Sequence, residues 1–244
     1  MEPIEAAEAL IGQHFPDCLV AFLAGSVIRG EGTSTSDLDV VVITEHRDAP
    51  FRQSLVEFGW PIEVFVHNRQ SLDLYFAKDV ERRRPALVRM CEEGIVIRDI
   101  NGLASQIKEQ AREILERGPE PVAPDQLRAE RYALTDLLDD FVGCAERQQG
   151  VFIANDLAVA ACDLILDHHG EWLGRGKWLS RRLRQFDAHL ADHLQRALED
   201  YFRHDRKTEL IEFAEDALAL EGGRLFDGYY LSGEGPSPRK LPET

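Results

Sequence analysis

The stretch AGSVIRGEGTSTSDLDVVVI, residues 24–43, decides how the first half of the chain is interpreted. It ends in an apolar run, Leu38–Thr44, whose composition predicts a central strand buried on both faces. Two aspartates, Asp37 and Asp39, stand at the entrance to that strand. Because side chains alternate along a strand, we expect both carboxylates on one face, about 7 Å apart along the backbone.

Two carboxylates this close repel each other and lose hydration, unless a cation lies between them. Carboxylate oxygens are the ligands that Mg²⁺ prefers, so the pair predicts a magnesium site. A structural role is the alternative, in which Asp37 caps the loop after Ser36 and Asp39 lies at a hydrated sheet edge. An acid-x-acid pattern alone does not decide between the two.

Two further features favour a site for phosphate and metal. Gly25 and Ser26 follow an apolar strand, where backbone N–H groups and a small hydroxyl can hold phosphate oxygens. A plain connection between strand and helix also favours these residues. Glu63 interrupts the otherwise apolar strand Ile62–Val66. A third acid beside the two aspartates would complete a site for two cations.

The chain changes character near Gly118. Before it we predict four strands and three helices: Cys18–Ala24, Leu38–Thr44, Ile62–His67 and Ile95–Arg98, with Ile4–His14, Leu72–Glu93 and Leu103–Arg117. After it the period is helical, with helices through residues 125–145, Val151–His169, Asp187–Arg203 and Lys207–Leu220. We therefore predict an α/β (α+β) domain with a mixed sheet over 1–117, a linker over 118–124, a C-terminal helical bundle over 125–231 and a loose tail over 232–244.

Composition excludes some classes of partner. The chain has 244 residues and a formal net charge of −16, which argues against broad binding to nucleic acid or anionic membranes. We expect no signal peptide and no membrane segment. The four cysteines are scattered without a C-x-x-C pair, which indicates reduced thiols in the cytoplasm. A homodimer is compatible with the sequence.

One set of motifs, taken together, resembles the polymerase-β-type nucleotidyltransferase superfamily. The set is Gly25-Ser26, Arg29-Gly30, Ser36-Asp37-Leu38-Asp39-Val40 and the later acid Glu63. The resemblance covers about the first hundred residues. It implies a nucleoside triphosphate whose α-phosphate is attacked with Mg²⁺ while pyrophosphate leaves.

The same resemblance implies roles for individual residues. Asp37 and Asp39 would bind both Mg²⁺ ions, and Glu63 would complete the second metal site. Ser26, beside Gly25, would hold the β- and γ-phosphates. Arg29 and Ser36 are lesser candidates for phosphate contact.

A catalytic domain followed by a helical domain is similar to the aminoglycoside nucleotidyltransferases of the kanamycin type. That resemblance implies a carboxylate base on the first helix of the second domain, where this chain has Asp136, Asp139 and Asp140. The segment around Asp140 fits the base region best, although Asp replaces the expected Glu and no Lys follows four residues later. An acidic, solvated helix face is the alternative for each of the three.

A further candidate for nucleotide binding, later in the chain, is Lys177, between Gly176 and Trp178. Here a cation and an aromatic ring could contact a nucleotide. A loop with a buried Trp explains this segment equally well. Together with these resemblances, the sequence predicts a cytoplasmic enzyme with two Mg²⁺ ions that transfers AMP from the co-substrate ATP to a hydroxyl of a small molecule. A protein-modifying or antitoxin-like adenylyltransferase, and a regulatory nucleotide-binding module without turnover, are the alternatives.

Overall fold

The computed structural model describes residues 1–45 and 49–232, and these form two compact units. The first comprises Met1–Pro121 together with Gly170–Gly174, and the second comprises the rest of the described chain. The predicted tail, 232–244, lies outside the described residues except for Ser232. The confirmed fold class is mixed α/β, with a mixed sheet in the first unit and helices in the second.

The first unit is built on a five-stranded sheet with strand order β3-β4-β2-β1-β5. The strands β2 and β4 are parallel and all other neighbours are antiparallel. The strands are β1 (Val20–Ala24), β2 (Leu38–Ile43), β3 (Phe51–Glu57), β4 (Trp60–His67) and β5 (Ile95–Asp99). The helices of this unit are α1 (Pro3–His14), α2 (Arg69–Glu81), α3 (Ala86–Glu93) and α4 (Leu103–Arg117).

Each face of the sheet carries its own apolar core. The even-numbered residues of β2, such as Val40, pack in a cluster with residues of α1, while Val41 and Ile43 pack with residues of α2, α3 and α4. Because β2 is buried from both sides, its apolar side chains on the two faces are removed from water. Asp39 alternates with Val40 and therefore lies on the face of α2–α4.

The single helix predicted over Leu72–Glu93 is wrong, because two helices, α2 and α3, occupy this region. Pro85 separates them: it has no N–H to donate, and it disfavours helical geometry in the residue before it. The buried carboxylate of Asp79 accepts hydrogen bonds from the backbone N–H groups of Leu87 (2.6 Å) and Val88 (3.3 Å). These bonds provide acceptors for two N–H groups of the first turn of α3, which have no carbonyl partner within the helix.

One strand was not predicted. Strand β3 is an edge strand whose side chains are mostly exposed, so it lacks the apolar run that marked the other strands. A two-residue turn, Phe58-Gly59, joins it to β4, and both turn residues have positive φ (54° and 83°). Such a turn is typical of a tight hairpin.

A short segment from later in the chain completes the first unit. The Nε1–H of Trp172 donates to the carbonyl of Leu115 (3.3 Å), and the N–H of Leu173 donates to the carbonyl of Arg83 (2.8 Å). The Arg83 guanidinium donates to the carbonyls of Glu120 and Glu171. Both Trp172 and Leu173 are buried.

All regular secondary structure in the described part of the second unit is helical. Its helices are α5 (Pro124–Gly143), α6 (Arg147–His168), α7 (Lys177–Phe186), α8 (Ala188–His204) and α9 (Thr208–Ala219). Helix α7 was not predicted as an element, although Leu179 and Leu183, four residues apart, form its buried face. By length and composition α6 could cross a membrane, and half of its most apolar window is buried within the described part of the chain.

Candidate functional site

Strand register brings the candidate acids together. Asp39 on β2 is the register partner of Glu63 on β4, and it is also the partner of Ala24 at the end of β1. On the other side of Glu63, its partner on β3 is Ser54. Ser54, Glu63, Asp39 and Ala24 therefore form one row across β3, β4, β2 and β1. The two carboxylates are adjacent in this row, and Ala24 at its end leads into Gly25.

Asp37, one residue before β2, adds a third carboxylate beside this row. The three residues Asp37, Asp39 and Glu63, here called the acidic triad, can each offer an oxygen within 4.8 Å of the others. All three are half-buried, so water screens their mutual repulsion incompletely. Clustered carboxylate oxygens are the donor set of a hard divalent cation, and the acidic triad can hold one.

Electrostatics supports this interpretation at the central residue. The pKa of Asp39 is raised to about 6, first by burial and then by the negative charges of Asp37 and Glu63. The positive charges of Arg52 and Arg29 partly oppose the rise. A carboxyl with a raised pKa carries an unfavourable charge at neutral pH, and a bound cation would relieve it.

The Gly-Ser turn lies against the acidic triad. Gly25 has φ of +90°, in the region that favours glycine, and a Cβ at this position would collide with Oδ2 of Asp39. After it, the carbonyl of Ser26 accepts hydrogen bonds from the N–H groups of Arg29 (3.3 Å) and Glu31 (3.0 Å). The turn is therefore folded tightly on itself, and its glycine allows the backbone to approach the carboxylate.

Hydroxyl groups link this turn to the loop before β2. Ser26 Oγ donates to Ser36 Oγ at 3.2 Å, and Ser36 Oγ accepts from the N–H of Thr33 at 2.9 Å. The two serines predicted to contact phosphate are thus neighbours, although ten positions apart in sequence. Each keeps hydroxyl lone pairs that can accept, and rotation of either hydroxyl can redirect its hydrogen.

Arg29, another predicted phosphate ligand, is paired with protein carboxylates. Its Nε lies 3.1 Å from Glu31, and its Nη1 lies 3.1 Å from Glu93 at the end of α3. Glu93 also pairs with Arg89 at 3.4 Å. In this arrangement Arg29 ties the Gly-Ser turn to α3.

Sequence analysis missed two residues on β3 that contact the acidic triad. Arg52 forms an ion pair with Oε2 of Glu63, and the hydroxyl of Ser54 donates to Oε1 at 3.3 Å. The Phe58-Gly59 turn was the available signal, because it marks a hairpin whose first strand must pair with β4.

The remaining candidates, Asp140 and Lys177, lie in the second unit, whereas the acidic triad lies in the first. Asp136 and Asp140 are exposed on α5, and Asp139 forms an ion pair with Arg224. Lys177 is exposed and begins α7. The roles of Asp140 and Lys177 stay predictions.

Comparisons with known proteins give one described neighbour. No family model and no curated protein matches this sequence. Among eleven matching chains of solved structures is a nucleotidyltransferase-like protein from Exiguobacterium sibiricum. It is 14% identical, the match covers 90% of this chain and 75% of that one, and the TM-score is 0.48.

Proposed function

We propose that this protein is a Mg²⁺-dependent nucleotidyltransferase that transfers AMP from ATP to a hydroxyl group of a small molecule. One observation carries the proposal: Asp39 and Glu63 on two parallel strands, and Asp37 just before the first of them, converge beside a turn whose Gly25 has φ of +90° and where a Cβ would collide with Asp39. Carboxylates that converge beside a Gly-Ser turn fit a reaction at a metal-bound phosphate.

The acidic triad would hold two Mg²⁺ ions, with Asp37 and Asp39 shared between them and Glu63 completing the second site. Bound there, the ions would supply Lewis-acid stabilisation of the charge on the phosphate oxygens. Ser26 and Ser36, 3.2 Å apart, would accept or donate at the oxygens of the β- and γ-phosphates. The nearby turn would align the triphosphate for attack.

In the proposed reaction, the acceptor oxygen forms a bond to the α-phosphorus. The bond from that phosphorus to the oxygen bridging to the β-phosphorus breaks, and pyrophosphate leaves with its electron pair. The acceptor hydroxyl must lose a proton, and a carboxylate base assists this step. We assign that role to Asp140, with Asp136 as the competing residue, and a nucleotide contact to Lys177.

For the acceptor we propose a cationic small molecule of the aminoglycoside type. The net charge of −16 supports this class, because a negative protein field attracts a cation. We place the enzyme in the cytoplasm, in keeping with four cysteines that are all free thiols. Broad nucleic-acid or membrane binding is not part of the proposal.

The test is a transfer assay with ATP and Mg²⁺ against aminoglycosides, lincosamides and a bacterial lysate, read by mass spectrometry. The expected result is one adenylyl group added to a small molecule, with pyrophosphate released. Asp37→Asn should abolish transfer, while the exposed Asp17→Asn, a matched change away from the acidic triad, should leave it unchanged. A label found on lysate protein would favour the protein-modifying alternative. ATP that binds but is never consumed would contradict turnover.

A further inference from the structure

The side chain of Arg52 lies where the acidic triad meets the edge strand. Its guanidinium is placed over the ring of Phe65, 5.0 Å from the centroid, and its Nη2 pairs with Glu63. Arg52 and Phe65 are register partners on β3 and β4, and Ser54 and Glu63 are the next such pair on this face. The arginine is thus positioned by the strand pairing itself.

Both carboxylate oxygens of Glu63 have partners in this arrangement. Oε2 is held by Arg52 and Oε1 accepts from Ser54 at 3.3 Å. Asp37 and Asp39, by contrast, form no ion pair within the described residues, although each can place an oxygen within 4.8 Å of the other and of Glu63. Within the described residues, Glu63 is therefore the member of the acidic triad that is held in an ion pair.

The two partners of this ion pair differ in their exposure. The side chain of Arg52 is 60% exposed, whereas that of Glu63 is only 21% exposed. An exposed arginine head can move into water with little loss, since an exposed ion pair contributes little net free energy. Glu63, fixed in β4, would stay with the acidic triad when Arg52 leaves.

We propose that Arg52 is a built-in counter-ion of Glu63 that competes with a divalent cation for this carboxylate. The proposal rests on the metal-binding role given to the acidic triad under the proposed function. A first ion can bind to the two aspartates with the Arg52–Glu63 pair intact. An ion that takes Oε2 of Glu63 as a ligand displaces Arg52, which thereby sets the affinity of the second ion.

The test measures Mn²⁺ binding to the metal-free protein by electron paramagnetic resonance of the free ion, without nucleotide. Arg52→Gln should tighten the weaker class of Mn²⁺ sites by about two- to fivefold, the range expected from losing one exposed competing charge. Arg52→Lys keeps a cation near Glu63 and should remain closer to the native affinity. Arg69→Gln, the matched loss of a charge whose partners are Asp73 and Gln110, should have no effect.

A double-mutant cycle with Glu63→Gln tests whether Arg52 acts through Glu63. In the Glu63→Gln background, Arg52→Gln should change Mn²⁺ affinity much less than in the native protein, because the contested ligand is gone and only the attraction between Arg52 and Asp39 remains. An unchanged or weaker affinity in Arg52→Gln overturns the counter-ion role, as does an equal change in Arg52→Lys. If the native protein binds no Mn²⁺ at all, the metal-dependent function fails first, and the two failures are thereby distinguishable.

Discussion

Replacing Asp39 by Asn should have opposite effects on metal binding and on the stability of the metal-free protein. In the metal-free protein this carboxyl is half-buried between Asp37 and Glu63, and its pKa is raised to about 6 from an ordinary value of 3.8. A raised pKa means that the folded protein favours the neutral form and is destabilised when the group ionises. Asparagine has a similar size and no charge, so Asp39→Asn should stabilise the metal-free fold above pH 6.

The size of the effect follows from the shift in pKa. A rise from 3.8 to about 6 is worth about 3 kcal/mol at pH 7 and above, since each unit corresponds to about 1.4 kcal/mol. Below pH 3.8 the Asp39 carboxyl is neutral in the folded and the unfolded native protein, and it does not destabilise the fold. The free energy of unfolding then falls by about 3 kcal/mol as the pH rises from 3.8 through about 6. The advantage of the variant should thus shrink to about 1 kcal/mol at pH 4.5.

Thermal unfolding in the presence of a chelator measures this difference. For a chain of this length, about 3 kcal/mol corresponds to a rise in Tm of about 6–12 °C at pH 8. Asp17→Asn, at an exposed position, serves as the control and should leave Tm unchanged. Added Mg²⁺ should raise the Tm of the native protein more than that of Asp39→Asn. A variant no more stable than the control at pH 8, or equally stabilised at pH 4.5, would refute the reasoning.

Two further predictions concern the proposed phosphate contact of Ser26 and the proposed general base Asp140. Ser26→Ala should weaken binding of a non-hydrolysable ATP analogue by roughly tenfold to a hundredfold in calorimetry, because a hydroxyl bonded to a charged phosphate is lost. Ser36→Ala tests the hydrogen-bonded neighbour, and an unchanged Kd with a lowered Tm in Ser26→Ala would indicate a structural role. Asp140→Asn should lower kcat by roughly 10²–10⁴ with little change in ATP binding. If only Asp136→Asn lowers kcat, the base is one turn away, and if neither does, neither of these two aspartates of α5 is the base.

The acidic triad could be predicted from sequence because its signals are local. A charged residue in a buried strand is costly unless it has a purpose, and Asp39 and Glu63 each interrupt an apolar strand. The parallel pairing that places them side by side is not a local property, and the expectation that Glu63 completes the site came from the motif resemblance.

Arg52 and Ser54 could not be predicted in the same way. They lie on β3, whose exposed polar side chains give no apolar periodicity, and their contacts with Glu63 depend on the register of a hairpin. A polar edge strand is specified by the turn that pairs it and by the strand beside it, more than by its own residues. The break between α2 and α3 was missed for the opposite reason, because Pro85 is a local signal that the apolar period obscured.

The return of Trp172 and Leu173 to the first unit has a consequence for the order of biosynthesis. A ribosome synthesises Met1–Pro121 early, but the partners of the Leu115 and Arg83 carbonyls appear only after α5 and α6 have been made. The nascent first unit must therefore wait for some fifty residues, Val122–His169, before these bonds can close. A stop codon placed after Pro121 would yield a fragment of the first unit without the two buried side chains, and a gene fusion should keep residues 1–174 together.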